Sequence, residues 1–104
     1  MNIVWVVQEG NNDYSPAEHF GEVHFITAGE LMPMKNSRQN GVVSNDIRAF
    51  KSLYVQDSDY IIPTGNPMTV ALAIMSLGAG DHKFLKWDGR RHAYVPHTLN
   101  SGEL

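Results

Sequence analysis

Cysteine is missing from this chain altogether. That absence excludes disulfides, thiolate metal sites and thiol nucleophiles, and it fits a reducing compartment. Cations are scarce: Lys and Arg number 8 against 11 Asp and Glu, a formal net charge of −3, and they form no stripe. The electrostatic footprint of a duplex-binding protein is therefore lacking, and nucleic acid is an unfavoured partner. The acidic excess is in turn too small for a DNA-mimicking surface. No apolar run approaches the roughly 20 residues that a membrane-spanning helix needs, so no membrane association is expected. Residues 1–10 begin with an apolar strand and lack the basic flank and cleavage pattern of a signal peptide.

Catalytic signatures are equally sparse. Neither the GxxxxGK[ST] loop nor the G-x-G-x-x-G fingerprint occurs. His19, His24, His82, His92 and His97 make no HxxxH or HxH pair, so no metal site is assigned. Ser15 and Ser76 lack a nucleophile-elbow setting. No catalytic residue and no cofactor is assigned, and the balance leans away from an enzyme.

What the chain does have is enough apolar material for one core: 104 residues, 42% hydrophobic, read as a single domain over 1–104. Ile3-Val4-Trp5-Val6-Val7 is a continuous apolar, β-branched run, the pattern of a strand buried on both faces of a parallel sheet. Ser15, Pro16 and Glu18 compose a capping box for a short helix anchored by Phe20 and closed by Gly21. Glu22 to Thr27 reads as a half-buried strand. Residues 28–44 are the least regular stretch, a long loop carrying Leu31, Met32 and Met34 beside Lys35 and Arg38. Such a loop is expected either to tuck over the sheet edge or to act as a lid or partner-binding arm. Ser44 or Asn45 is the expected cap of the next helix, whose apolar face is Ile47, Phe50, Leu53 and Tyr54.

The best-specified segment is Asp59-Tyr60-Ile61-Ile62-Pro63-Thr64-Gly65-Asn66-Pro67. It predicts a strand from Tyr60 that ends at Thr64, a glycine turn, and a helix capped by Asn66 with Pro67 at its first position. Pro63 removes a backbone donor, which limits pairing at that strand's end. The helix expected over Pro67–Leu77 carries no charge. Val70, Ala73, Ile74 and Leu77 make one apolar face, and Met68, Leu72 and Met75 a second, to be covered by the 28–44 loop or by a second copy of the chain. Lys83 to Val95 predicts a β-hairpin turning at Asp88–Arg91, with Pro96 ending the ladder and 98–104 a frayed tail. The fold class is thus α/β: a mixed, partly parallel sheet of about five strands, two main helices and a C-terminal hairpin.

SPAEHFGEV (15–23), DYIIPTGNP (59–67) with its uncharged helix, and KFLKWDGRRHAYVP (83–96) together resemble a group of small uncharacterised bacteriophage proteins. The resemblance implies a phage origin and action in the cytoplasm of the bacterial host. It transfers no catalytic residue.

Two functions fit these observations. The first is a phage accessory protein that binds a host protein, with Met68, Leu72, Met75, Leu31, Met32 and Met34 as interface residues and a homodimer formed through the second face of the uncharged helix. The alternative is a small-molecule binder, for a nucleotide or other anion, at Thr64, Gly65 and Asn66, where a helix N-terminus favours negative charge. Ligands in open α/β sheets lie beyond the carboxyl ends of the strands, so Glu9, Asn12 and Asp13 in the first turn join that candidate site. Glu30 sits at the same edge, and with Glu9 and Asp13 it supplies the carboxylates that a hard cation or acid–base chemistry would need. Lys83, Lys86, Arg90 and Arg91 form the only cationic cluster. Arg90 and Arg91 at the hairpin tip, with Trp87 and Tyr94 nearby, are where a nucleic acid strand could be stacked on and gripped, the unfavoured reading.

Overall fold

The structure is a computed structural model that describes residues 2–34 and 37–104. Lys35, the cation expected in the loop, lies outside the described residues. The elements run β1 (Ile3–Gln8), a 3-10 helix (Ser15–His19), β2 (Glu22–Thr27), α1 (Arg38–Leu53), β3 (Tyr60–Ile62), α2 (Pro67–Met75), β4 (Asp81–Asp88), β5 (Ala93–Asn100) and a closing 3-10 turn (Ser101–Glu103). They build one five-stranded sheet in the order β2-β1-β3-β4-β5. The first four strands are parallel, and β4 and β5 form the antiparallel hairpin.

The apolar run of β1 sits where its composition requires, flanked by parallel strands on both sides. Trp5 and Val7 point to one face, among Val43, Ile47 and Phe50 of α1 and Ala73 of α2. Val4 and Val6 point to the other, among Tyr14, Ala17, Ile62 and Leu85. Among the described residues, both α-helices therefore lie on one face and the 3-10 helix at Ser15–His19 lies on the other. Side-chain alternation along a strand makes this division.

Asp59 ties the central strands together. It is 1% exposed, and its carboxylate accepts from the Ile3 and Val55 amides (3.0 and 2.9 Å) and from the Trp5 indole N–H (3.0 Å). A second buried polar link runs through His82. Its Nε2 lies 2.7 Å from the Gly78 carbonyl, which can only accept, so that nitrogen carries the proton and Nδ1 accepts from the Tyr54 hydroxyl at 2.7 Å. Burial, reinforced by the Asp59 charge, pushes the Tyr54 hydroxyl up to about 12.

The expected irregular segment over 28–44 is shorter in the fold, because α1 begins at Arg38. Its cap is Ser37, whose Oγ accepts from the Asn40 amide at 3.0 Å, in place of Ser44 or Asn45. Asn40 in turn holds the preceding chain, bonding Met32 N (2.6 Å), Met32 O (3.0 Å) and Met34 O (3.0 Å). Asp46 is consequently inside the helix, where it accepts from Thr27 Oγ1 at 2.8 Å. Leu53, expected in the core, is 63% exposed at the helix end. The short helix at Ser15 is 3-10, with no side-chain bond from its cap, and Asp13 Oδ1 receives the Ser15 amide instead. Gly21 is not left-handed. It permits a close approach, since a Cβ there would stand 2.5 Å from Asn2 O.

Pro96 does not end the hairpin, which pairs through Asp81↔Asn100. β5 is an edge strand, so the missing proline N–H need not leave a ladder partner unsatisfied. Residues 98–100 therefore belong to the sheet, and Asn100 Oδ1 caps the last turn at Gly102 N (2.8 Å), where the sequence suggested a frayed tail over 98–104.

Candidate binding cleft

The crossover from β1 to β2 passes over the 3-10 face, whereas α2, which follows β3, lies on the opposite face. Adjacent strands whose chains leave to opposite faces mark a topological switch point, where open α/β sheets leave a crevice at the carboxyl ends. A cleft of about 710 Å³ opens beside that point, along β4 and β5. Asn12, Asp13 and Tyr14 from the turn after β1, and Pro63 and Thr64 from the turn after β3, contribute to its lining.

The cleft owes its depth to unequal strand lengths. β3 stops at Ile62, ahead of Pro63, and pairs with β4 only at Tyr60↔Lys83 and Ile61↔Phe84. β4 continues to Asp88, paired on its other side with β5. The upper part of β4 thus stands as one wall. Leu85 and Trp87, with Tyr94 opposite Trp87 in register, face the same side as Tyr14. Phe84 and Lys86, with His97 and Leu99 on β5, face the helix side with Ile74.

Aromatic contacts fix this wall. Trp87 meets Tyr94 edge-on at 5.1 Å between ring centroids and His92 at 6.3 Å. Tyr14, 6% exposed, packs edge-on against Phe25 at 5.7 Å. Trp87 remains 43% exposed, so its ring is available to a guest. Burial raises the Tyr94 hydroxyl above its ordinary range, helped by Tyr14 and the Asp13 charge, so it is a neutral donor at ordinary pH. Asp13 is held below the usual carboxylate range by the Ser15 backbone and side chain.

The residues proposed for an anion are divided by the structure. Thr64, Asn12 and Asp13 line the cleft. Gly65 and Asn66 do not, and the donors there are committed. Asn66 N donates to Gln8 Oε1 at 2.6 Å, and Met68 N to Asn66 Oδ1 at 3.0 Å. The Gln8 side chain lies over Gly65, whose φ of +142° brings the backbone so near that a Cβ would stand 2.5 Å from Gln8 Cβ. A neutral amide oxygen from within the chain thus occupies the place where an anion was expected. Glu9 is exposed, its amide bonded to Thr27 O at 2.8 Å, and Glu30 accepts from Gln8 Nε2 at 3.3 Å. Among the described residues no three His, Asp or Glu side chains gather as a metal site.

The proposed interface residues also divide. Leu31 tucks against the core, its amide donating to Thr69 Oγ1 at 3.2 Å. Leu72 packs on the same core. Met32, Met34, Met68 and Met75 are 49%, 65%, 63% and 79% exposed. The chain's own loop therefore leaves the two methionines at the ends of the second α2 face uncovered.

Sequence reasoning named Trp87 and Tyr94 only as neighbours of the hairpin arginines, and did not place Tyr14, Ile74 or His97 in a site. Their convergence depends on strand order and register. The one legible signal was Pro63, which shortens β3 beside a longer hairpin. A family model described as phage Pam3 gp32-like protein matches residues 2–101. No curated protein and no solved structure matches the chain. Since the match spans nearly its whole length, the chain belongs to that bacteriophage family. No helix among the described residues is long and apolar enough to cross a membrane.

Proposed function

We propose that this member of the phage Pam3 gp32-like family is a non-catalytic accessory protein that binds a protein of the bacterial host, in the host cytoplasm, through the cleft above β3. The observation that carries this reading is the cleft itself: about 710 Å³, beside a switch point, with Tyr14, Trp87 and Tyr94 in its lining. Aromatic residues in a concave, part-exposed setting are what binding energy concentrates on. The test is capture from host lysate with the wild-type chain and with a Trp87→Ala, Tyr94→Ala variant. A partner retained by the first and lost by the second supports the reading. Identical capture by both contradicts it.

A small molecule is the second reading, favoured by the cleft volume, which falls within the range of about 300–1,000 Å³ typical of ligand pockets. Its polar contacts would be Thr64, Asn12 and Asp13, with Gly65 and Asn66 displaced from the role by Gln8. A nucleotide and metabolite panel in a thermal-shift assay separates the readings. A ligand at one hundred times its dissociation constant adds about 2.7 kcal/mol. Self-association is a separate element of the proposal and rests on Met68 and Met75.

A further inference from the structure

The upper edge of β4 is unusual for an internal strand, because it has a neighbour on one side only. Lys86, Trp87 and Asp88 pair with Val95, Tyr94 and Ala93 of β5. On the other side β3 has already ended. The chain that replaces it cannot complete the ladder. Pro63 has no N–H, the Thr64 amide donates to Ile62 O at 2.9 Å, and the Thr64 carbonyl accepts from Gln8 N at 3.1 Å. Among the described residues no turn or loop bond reaches the backbone of Lys86 or Trp87, and both residues are exposed. The ladder beside them is therefore open, and the cleft lies along it.

An open strand edge selects its guest by shape, since only extended backbone matches the row of donors and acceptors. The side chains at this edge select by charge. Lys86 lines the cleft, as does Asp13 from the turn after β1, and Lys86 also lines the adjoining concavity at the hairpin tip, with Arg90 and Arg91. Asp88 is already engaged with its own turn: its carboxylate accepts from the Arg90 and Arg91 amides at 2.9 and 3.3 Å and lies 3.6 Å from the Arg91 guanidinium. Lys86 and Arg90 pair with no carboxylate among the described residues, in a chain whose net charge is −3. A lysine on a strand edge discourages indiscriminate pairing, and the same lysine admits a strand that brings a carboxylate to it.

We infer that the partner presents an extended acidic segment, which adds as a short strand to the open edge of β4 at Lys86–Asp88, sets an apolar or aromatic side chain in the cleft against Trp87 and Tyr94, and places its carboxylates by Lys86 and Arg90. The inference rests on the cleft-binding reading above and gives the chemistry of what enters. It differs from the second reading in requiring backbone hydrogen bonds from the guest.

The test uses the full chain and a fluorescein-labelled peptide of alternating glutamate and phenylalanine. Two controls accompany it: its backbone N-methylated twin, and a twin with lysine in place of glutamate. Anisotropy measures binding. Tryptophan emission reports position, because Trp5 is buried (4% exposed) and Trp87 is not (43%). The acidic peptide is expected to bind with a change in Trp87 emission that Trp87→Phe removes. N-methylation is expected to weaken binding about tenfold, the loss of roughly one net hydrogen bond. Lys86→Glu, at an exposed position, is expected to weaken the acidic peptide and strengthen the lysine twin. Equal binding of the acidic and N-methylated peptides overturns strand addition while leaving the cleft as the binding surface. Binding of the lysine twin as tightly as the acidic one overturns the charge assignment. No response to any peptide, or a single-stranded oligonucleotide displacing the acidic one, overturns the inference. If the lysate partner is nonetheless lost in the Trp87, Tyr94 variant, the cleft reading stands without it; if capture is also unchanged, both fall.

Discussion

At the scale of single residues, buried hydrogen-bonding side chains do more to define this fold than any charge pair on its surface. Asp59 accepts from the Ile3 amide of β1, from the buried Trp5 indole in the centre of that strand and from the Val55 amide in the segment after α1. Removing the acceptor leaves the buried indole N–H unpaired, at about 1–3 kcal/mol, and takes an ionised partner from the two part-buried amides. Asp59→Ala is therefore expected to destabilise by about 3–5 kcal/mol in urea denaturation. A loss below about 1 kcal/mol, the usual size of a surface substitution or less, would show that the clamp is ornamental. Tyr54 gives a pH signature. The folded state holds its proton up to about 12, against 10.0 for the ordinary group. Between those values the unfolded chain loses a proton that the folded chain keeps, so stability falls as pH rises through that window. Denaturation midpoints measured across that window should decline in the wild type, and Tyr54→Phe should remove that part of the decline. The same slope in both proteins would exclude the hydroxyl as its source.

At the scale of elements, local chemistry was legible wherever it coincided with the tertiary role. The apolar run of β1 announced a doubly buried parallel strand, and Gly65-Asn66-Pro67 announced the turn and the helix start, but the strand before them ends at Ile62, ahead of Pro63, and not at Thr64. The start of α1 was hidden, because Ser37 is followed by no acidic first turn and Gly41 lies inside the helix, where it reads as a breaker. The burial of Val43, Ile47 and Phe50 outweighs that weakness. A Cβ at Gly41 would meet nothing within 4 Å, so Gly41→Ala is expected to raise stability by roughly 0.5–1 kcal/mol. Ser37→Ala is expected to cost about 1 kcal/mol by loss of the cap. Opposite signs from these neighbouring changes would place the helix start where the fold puts it, and a destabilising Gly41→Ala would contradict that start. Gly65 is the reverse case. Its positive φ and the Gln8 side chain both resist a Cβ, so Gly65→Ala should destabilise by about 1–3 kcal/mol. Gln8→Ala keeps the Gln8 Cβ but removes the Oε1 that would stand 2.6 Å from the new methyl, so relief of part of the cost in a double-mutant cycle would identify that share of the contact.

At the scale of the whole molecule, the working surface comes from a mismatch. A three-residue β3 sits beside an eight-residue β4, and the chain turns away where the longer strand continues. No local pattern encodes that relation, since it needs the strand order and the register. Hence the sequence led to the helix N-terminus at Thr64–Asn66, whereas the open volume lies alongside it, over Trp87 and Tyr94. The methionines of α2 are a second surface on the opposite side of the question: Met68 and Met75 are uncovered, but Leu72 between them is already packed. If self-association occurs there, light scattering over a dilution series should show a dimer that Met68→Glu with Met75→Glu abolishes; a monomer at every concentration would contradict it. The most direct measurement of the cleft's role is an amide NMR map of the labelled chain, titrated with the host protein that it captures. The expected result is a set of shifts confined to Asn12–Tyr14, Thr64, Lys86–Trp87 and Tyr94. Shifts gathered on Met68 and Met75, with those amides unmoved, would contradict it.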